Sequence, residues 1–291
     1  MTLDTSNRSS ISVFNLLVFG GMSGAGLFSA QYFGQKNHNG VRDVFRMKIL
    51  IGITIIIASL GVMLFLHEPL INMFLHEGSS SGNIQETFNY AKNYLYIMVI
   101  GIAPFVISNC YNTTLKESGQ TVVPMKAGVL AVVFDVVLNY IFIFGKLGFP
   151  AMGVVGAAIA TVISRFVECG YLVIYTHIHS NDYPFIKHCY RTLKVPGSLV
   201  KKIIVTGAPL MLNEFLWAGG LTLQTQALST KGLATVGGLN ICNTIGNISN
   251  CIFVTMGTTI AIVVGQLLGA GKLKEAKVTA TRMAAFSLLI S

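Results

Sequence analysis

Charge is what this chain has least of. Asp, Glu, Lys and Arg make up 11% of its 291 residues, while 53% are hydrophobic. A soluble domain carries roughly 25% charged residues, so this chain could not cover a water-facing surface. Cysteine is sparse too. Cys110, Cys169, Cys189, Cys242 and Cys251 show no CxxC spacing, which argues against a metal cluster or disulfide framework; four of them fall in apolar runs as small core residues. There is no HExxH, no G-x-S-x-G and no P-loop, so neither an enzyme nor a nucleotide-driven pump is indicated. The opening MTLDTSNRSS is polar and no A-x-A-like site follows the first apolar run, so no cleavable signal peptide is expected.

What is present is a series of apolar runs of the length that crosses a bilayer, about 17–25 residues. They predict seven complete helices near 11–34, 47–66, 90–115, 122–144, 153–176, 203–228 and 237–269, with another starting near 277. The 30 glycines agree, because small residues let membrane helices approach closely. The expected fold class is an all-α integral membrane protein, a polytopic helical bundle.

The formal net charge of +9 does not point to nucleic acid, because the basic residues sit in short segments between apolar runs. They read as topology signals and lipid headgroup contacts. The odd-numbered loops carry fifteen Lys and Arg, among them Arg42, Arg46, Lys48, Lys116, Lys201 and Lys202; the even-numbered loops carry Lys146 and Lys231. The second loop has Glu68, Glu77 and Glu86 with no basic residue. The positive-inside rule puts the odd loops in the cytoplasm. The longest of these, near 177–202, reads as a linker between two bundles. Its His177, His179 and His188 match no metal spacing and read as solvated.

One stretch occurs twice. Residues 26–36 read GLFSAQYFGQK and residues 261–271 read AIVVGQLLGAG, so Gln31 aligns with Gln266 and Gly34 with Gly269. Both copies run toward the cytoplasmic face, which makes the repeat parallel. Parallel repeats are typical of secondary transporters, whose substrate sites lie between the repeats. The expected domains are an N-terminal bundle over 1–176, a linker over 177–202 and the start of a second, truncated bundle over 203–291.

Ionisable groups inside spans are costly and face a cavity or a partner. Asp135 and Asn139 are four apart, hence on one helical face. A carboxylate and an amide oxygen so placed can coordinate a small cation, or the carboxylate can take a proton; a protonated, structurally bonded Asp135 is the plain alternative. Glu214 follows Pro209 and Asn213 by a short interval and falls near mid-bilayer. Arg165 and Glu168, three apart, can pair with each other. Asn240, Asn243, Asn247 and Asn250 form one polar stripe that lines a cavity or bonds other helices.

Five segments together resemble the multidrug and toxic compound extrusion family of antiporters. They are FGGMSGAGLFSAQYFGQ, LKESGQTVVPM, LNYIFIFGKLGFPAMGVVGAAIATVISR, GAPLMLNEFLWAGG and VVGQLLGAGKLKEA, in family order from residue 11 to 291. The resemblance implies two six-helix bundles, of which this chain corresponds to helices two through eight and part of nine. It implies a polar cluster at Tyr94, Asn112, Asp135, Asn139 and Thr161, with the order of Asp and Asn exchanged relative to the family, and a second acidic site at Glu214. It also implies a plasma-membrane exporter of lipophilic or cationic compounds in exchange for H⁺ or Na⁺. The partners are a small-molecule substrate, the coupling ion and the bilayer, with no cofactor, no structural metal and no nucleic acid. A lipid-intermediate flippase is the alternative, which Arg165 as sole mid-helix base disfavours; a non-transporting membrane protein or a fragment is another.

Overall fold

The computed structural model describes residues 20–65, 94, 96–187, 189–229 and 233–290. Among these, regular structure is helical: α1 (20–34), α2 (His38–Phe65), α3 (Ile102–Glu117), α4 (Val122–Phe144), α5 (Gly153–Ile178), α6 (Gly197–Ser229), α7 (Leu233–Gly269) and α8 (Leu273–Ile290), with one 3₁₀ turn at Cys189–Arg191. Five segments of the described residues are long and apolar enough to cross a membrane, namely His38–Gly61, Tyr96–Glu117, Val122–Phe144, Gly153–Ile178 and Asn250–Gly269. The chain is a multi-pass helical membrane protein. Residues 11–19, the acidic second loop, His188 and Lys231 lie outside the described residues.

The order of helices follows the hydropathy pattern, but several begin well before the apolar run does. α2 starts at His38 rather than near 47, and α6 at Gly197 rather than near 203. Hydropathy marks the segment in hydrocarbon, whereas the backbone stays helical through the headgroup layer. Many of the basic residues expected in loops are therefore on helices: Arg42, Arg46 and Lys48 on α2, Lys116 on α3, and Lys201 and Lys202 on α6.

The helices fall into two compact units that do not follow chain order. One contains Lys48–Lys187. Within it α4 and α5 form a tight antiparallel pair, with α3 packed on α5. Gly119 (φ 76°) ends α3 and Gly145 (φ 65°) ends α4, both in the left-handed conformation that glycine adopts freely. At Gly156 a Cβ would lie 2.8 Å from the Phe142 carbonyl oxygen, so only glycine lets α5 come this close to α4. Lys48 on α2 is fully buried in this unit, and its Nζ donates to both Glu117 carboxylate oxygens (2.6 and 2.8 Å) and to the Thr113 and Thr114 hydroxyls (3.0 and 3.2 Å).

The second unit contains Gly20–Met47 and His188–Ser291. Here the two copies of the sequence repeat meet. A Cβ on Gly34 would overlap the Gln266 carbonyl, and a Cβ on Gly269 would overlap the Gln31 carbonyl. The contact is reciprocal, as a two-fold arrangement of equivalent helix ends requires. Above it, Gly265 meets Ala30, and Gly24 of α1 meets Gly207 of α6. This packing draws α1 to the C-terminal helices, although the chain order puts it with the first bundle.

The segment from 179 to 196 is more buried than a solvated linker. Tyr183, Phe185, Ile186 and Cys189 are all buried. In the second unit, Arg46 Nε donates to the Cys189 carbonyl at 2.9 Å while its Nη1 contacts Asp43 at 3.1 Å. Burial pushes the Cys189 thiol above its ordinary range, against the lowering pull of Arg46. Cys189 is thus expected to resist maleimide at neutral pH. Arg46→Ala removes the group that pulls this thiol down, so it should slow the labelling further; mass spectrometry of labelled peptides reads this directly.

Candidate functional site

Asp135 lies two turns before the end of α4 and faces α5. Asn139, one turn further on, donates its Nδ2 to Asp135 Oδ2 at 3.0 Å. The other carboxylate oxygen, Oδ1, lies 3.3 Å from the Ser164 hydroxyl of α5. Ser164 is buried, and its hydroxyl also lies 2.9 Å from the Thr161 carbonyl oxygen. Thr161 therefore reaches the cluster through its backbone. Asn139 Oδ1 and Asn112 Oδ1 are buried and have no hydrogen-bond partner among the described residues. Of the two, Asn139 Oδ1 belongs to the residue that bonds Asp135, so acceptor capacity is left on the same helical face as a carboxylate inside a span.

The i, i+4 spacing identified Asp135 and Asn139 correctly as one face. Ser164 was missed, because its partner is on another helix 29 residues away and a serine in an apolar run carries no pattern of its own. Tyr94 is half-buried and packs against Met98, Ala158 and Val162.

Arg165 and Glu168 can meet along α5, but the guanidinium goes elsewhere. Arg165 Nη1 donates to the Gly101 carbonyl at 3.4 Å, and its Cζ lies 4.7 Å from the Phe105 ring centroid. The Gly101 carbonyl, which also accepts from the Phe105 N–H, and the Phe105 ring together hold the cation across helices. Tyr94, Glu168 and Asp135 are within electrostatic reach of that guanidinium.

Glu214 belongs to the second unit. It is partly buried on α6, with its Cγ 3.2 Å from where a Gly20 Cβ would stand. α6 runs helical through Pro209. Asn247 and Asn250 of the polar stripe are exposed on α7; the side chains of Asn240 and Asn243 lie outside the described set. His177 and His179 bond backbone carbonyls of their own helix, His179 also stacking on Tyr175 with ring centroids 4.2 Å apart. No group of three metal-binding side chains occurs among the described residues.

A family model described as MatE matches residues 7–141 and 209–291. Probable multidrug resistance protein NorM of Thermotoga maritima is 28% identical over 261 residues, covering 89% of this chain and 53% of that protein. The NorM of Halalkalibacterium halodurans is 27% identical, covering 89% of this chain and 56% of its own length. The chain thus spans about half the length of these curated relatives. Among solved structures, a variant of the Vibrio cholerae MATE transporter VcmN aligns with TM-score 0.77 at 17% identity, over 97% of this chain and 61% of that one. An outward-facing multidrug resistance MATE family transporter aligns with TM-score 0.72 at 22% identity, over 96% of this chain and 60% of its own. These two likenesses establish the fold.

Proposed function

For this chain, which belongs to the MatE family, we propose a role in secondary active export of lipophilic, cationic compounds across the plasma membrane, driven by entry of H⁺ or Na⁺ at Asp135. The names of the relatives, probable multidrug resistance proteins, support export of drugs. The observation that carries the coupling role is the Asp135 carboxylate inside α4, bonded to Asn139 and Ser164, with the unpartnered oxygen of Asn139 beside it. Arg165 in α5 is engaged with Gly101 and Phe105 and Lys48 in α2 with Glu117, so neither of these bases is held out to a lipid phosphate, which disfavours the flippase reading.

In this mechanism the cargo's positive charge and the coupling ion compete for one half-buried carboxylate inside a membrane span. With Asp135 ionised, a lipophilic cation gains a counter-charge in a low-dielectric setting. When H⁺ or Na⁺ takes the carboxylate, that attraction is lost and the cargo leaves. Transport requires that the two ligands favour different conformations, since a ligand with equal affinity for both shifts nothing. The two compact units, Lys48–Lys187 and Gly20–Met47 with His188–Ser291, are the bodies whose relative movement such an exchange requires. Glu214 is a second acid with the same chemistry.

The test is dye efflux from vesicles reconstituted with the chain, under imposed pH or Na⁺ gradients. Asp135→Asn should abolish gradient-driven efflux of a cationic dye, and Glu214→Gln should reduce it. Efflux unchanged in both variants would remove these acids from the coupling mechanism.

A further inference from the structure

A cavity of about 260 Å³ lies where the turn after α1 meets the start of α6, and all of its lining belongs to the second unit. Tyr32, Asn39 and Asp43 line it from the α1–α2 side, Ser198 and Lys202 from α6. Gly40 maintains this shape, because a Cβ there would stand 2.6 Å from Tyr32 Cγ. The volume is below the roughly 300–1,000 Å³ of pockets that enclose drug-sized molecules. It suits a ligand of headgroup size and not the cargo.

The acceptors around this cavity are already engaged. Asn37 Oδ1 accepts the Gly40 N–H at 3.0 Å, and Asn39 Oδ1 accepts from Arg42 Nη2 at 2.9 Å. Asp43 is the one carboxylate of the lining, and its Oδ1 accepts from Arg46 Nη1 at 3.1 Å, so it carries its own counter-charge. The Pro196 carbonyl accepts the Leu199 and Val200 N–H groups at 2.9 and 3.1 Å. Donors remain open. The Lys202 ammonium and the Ser198 hydroxyl have no partner among the described residues, and the first N–H groups of α6 have no acceptor within their own helix. Lys202, Arg42 and Arg46 together outweigh Asp43. Such a cavity selects an anion.

Depth points to the source of that anion. The apolar runs begin near 47 on α2 and near 203 on α6. Lys202 therefore stands at the hydrocarbon boundary, and Asp43 lies about 6 Å outside it at 1.5 Å per residue. The headgroup layer is roughly 5–8 Å deep on each side. The positive-inside rule places this end in the cytoplasm, and basic pockets between helices at that level bind anionic headgroups. We propose that the cavity is a binding site for the phosphate headgroup of an anionic phospholipid of the cytoplasmic leaflet, held by Lys202, Ser198 and the first turn of α6. Lys202 is at the edge of the bilayer and not inside a span, so this lipid is a fixed ligand and is not carried across. It touches the α1–α2 turn and α6 at once.

The measurement is titration of the purified chain in mild detergent with short-chain phosphatidylglycerol, read by native mass spectrometry. Phosphatidylglycerol should bind well and phosphatidylcholine poorly. Lys202→Gln should weaken binding about tenfold, as expected for losing one hydrogen bond to a charged group. Lys201→Gln makes the same change of charge outside the lining and should weaken it far less. Ser198→Asp should abolish binding and keep the fold, because a carboxylate in the first turn favours a helix; its unfolding midpoint without lipid should match or exceed that of the parent. Equal losses in Lys201→Gln and Lys202→Gln would overturn the proposal by reducing it to general surface charge, as would undiminished binding in Ser198→Asp. Inorganic phosphate that displaces the lipid at equal concentration, with the same dependence on Lys202, would make the ligand a soluble phosphate and overturn the lipid assignment.

Discussion

Glu117→Gln should destabilise the chain by about 3–5 kcal/mol, the usual consequence of removing one partner from a buried ion pair. Lys48 is fully enclosed, and Glu117 supplies both carboxylate oxygens to its ammonium, with the Thr113 and Thr114 hydroxyls sharing the third N–H. Glutamine keeps the shape and one acceptor but leaves the positive charge uncompensated away from water. Lys48→Met should cost a similar amount by stranding the carboxylate. The double variant Lys48→Met with Glu117→Met should recover most of the loss, because well-packed apolar residues often replace a buried pair without penalty. Thermal unfolding in mild detergent across this double-mutant cycle gives the coupling energy. Additive single effects would mean that the pair does not act as a unit.

The second large effect is expected at the meeting of the two repeat copies. Gly34→Val and Gly269→Val should each destabilise the chain by at least the 1–3 kcal/mol typical of overpacking, because what the new side chain meets is a backbone carbonyl and not a movable side chain. The reciprocity makes the prediction sharper, since the two substitutions strike equivalent contacts and should have matching effects. Gly219 is the control, a helical glycine with nothing within 4 Å of an added Cβ. Gly219→Ala should be neutral or stabilising, as alanine is favoured over glycine in a helix interior by roughly 0.5–1 kcal/mol. Unfolding midpoints of the three variants, measured side by side, separate a packing contact from a general intolerance of change.

These two expectations show where the sequence was readable and where it was not. The repeat was visible as letters, and Gln31, Gly34, Gln266 and Gly269 became contacts in the fold. What letters could not show was that the copies touch, which draws α1 into the same compact unit as the C-terminal helices. Asp135 and Asn139 were legible because a 3.6-residue period fixes their common face. Ser164, Glu117 and Lys48 were not. Lys48 reads as a cytoplasmic charge and Glu117 lies 69 residues away, yet the fold buries them together. Arg165 and Glu168 show the converse, a pair suggested by spacing that a nearer carbonyl and ring outcompete. Local periodicity constrains faces of single helices; partners across helices depend on how those helices dock.

The central claim is that one carboxylate inside a membrane span, Asp135, serves coupling ion and cargo in turn. Equilibrium binding of a fluorescent lipophilic cation to the purified chain, at stepped pH and Na⁺ concentration, tests it most directly. Binding linkage is reciprocal, so dye affinity should fall as either H⁺ or Na⁺ rises, and Na⁺ affinity should fall equally as dye is added. In Asp135→Asn both dependences should vanish. Dye affinity that responds to H⁺ and Na⁺ as strongly in Asp135→Asn as in the parent would contradict the claim.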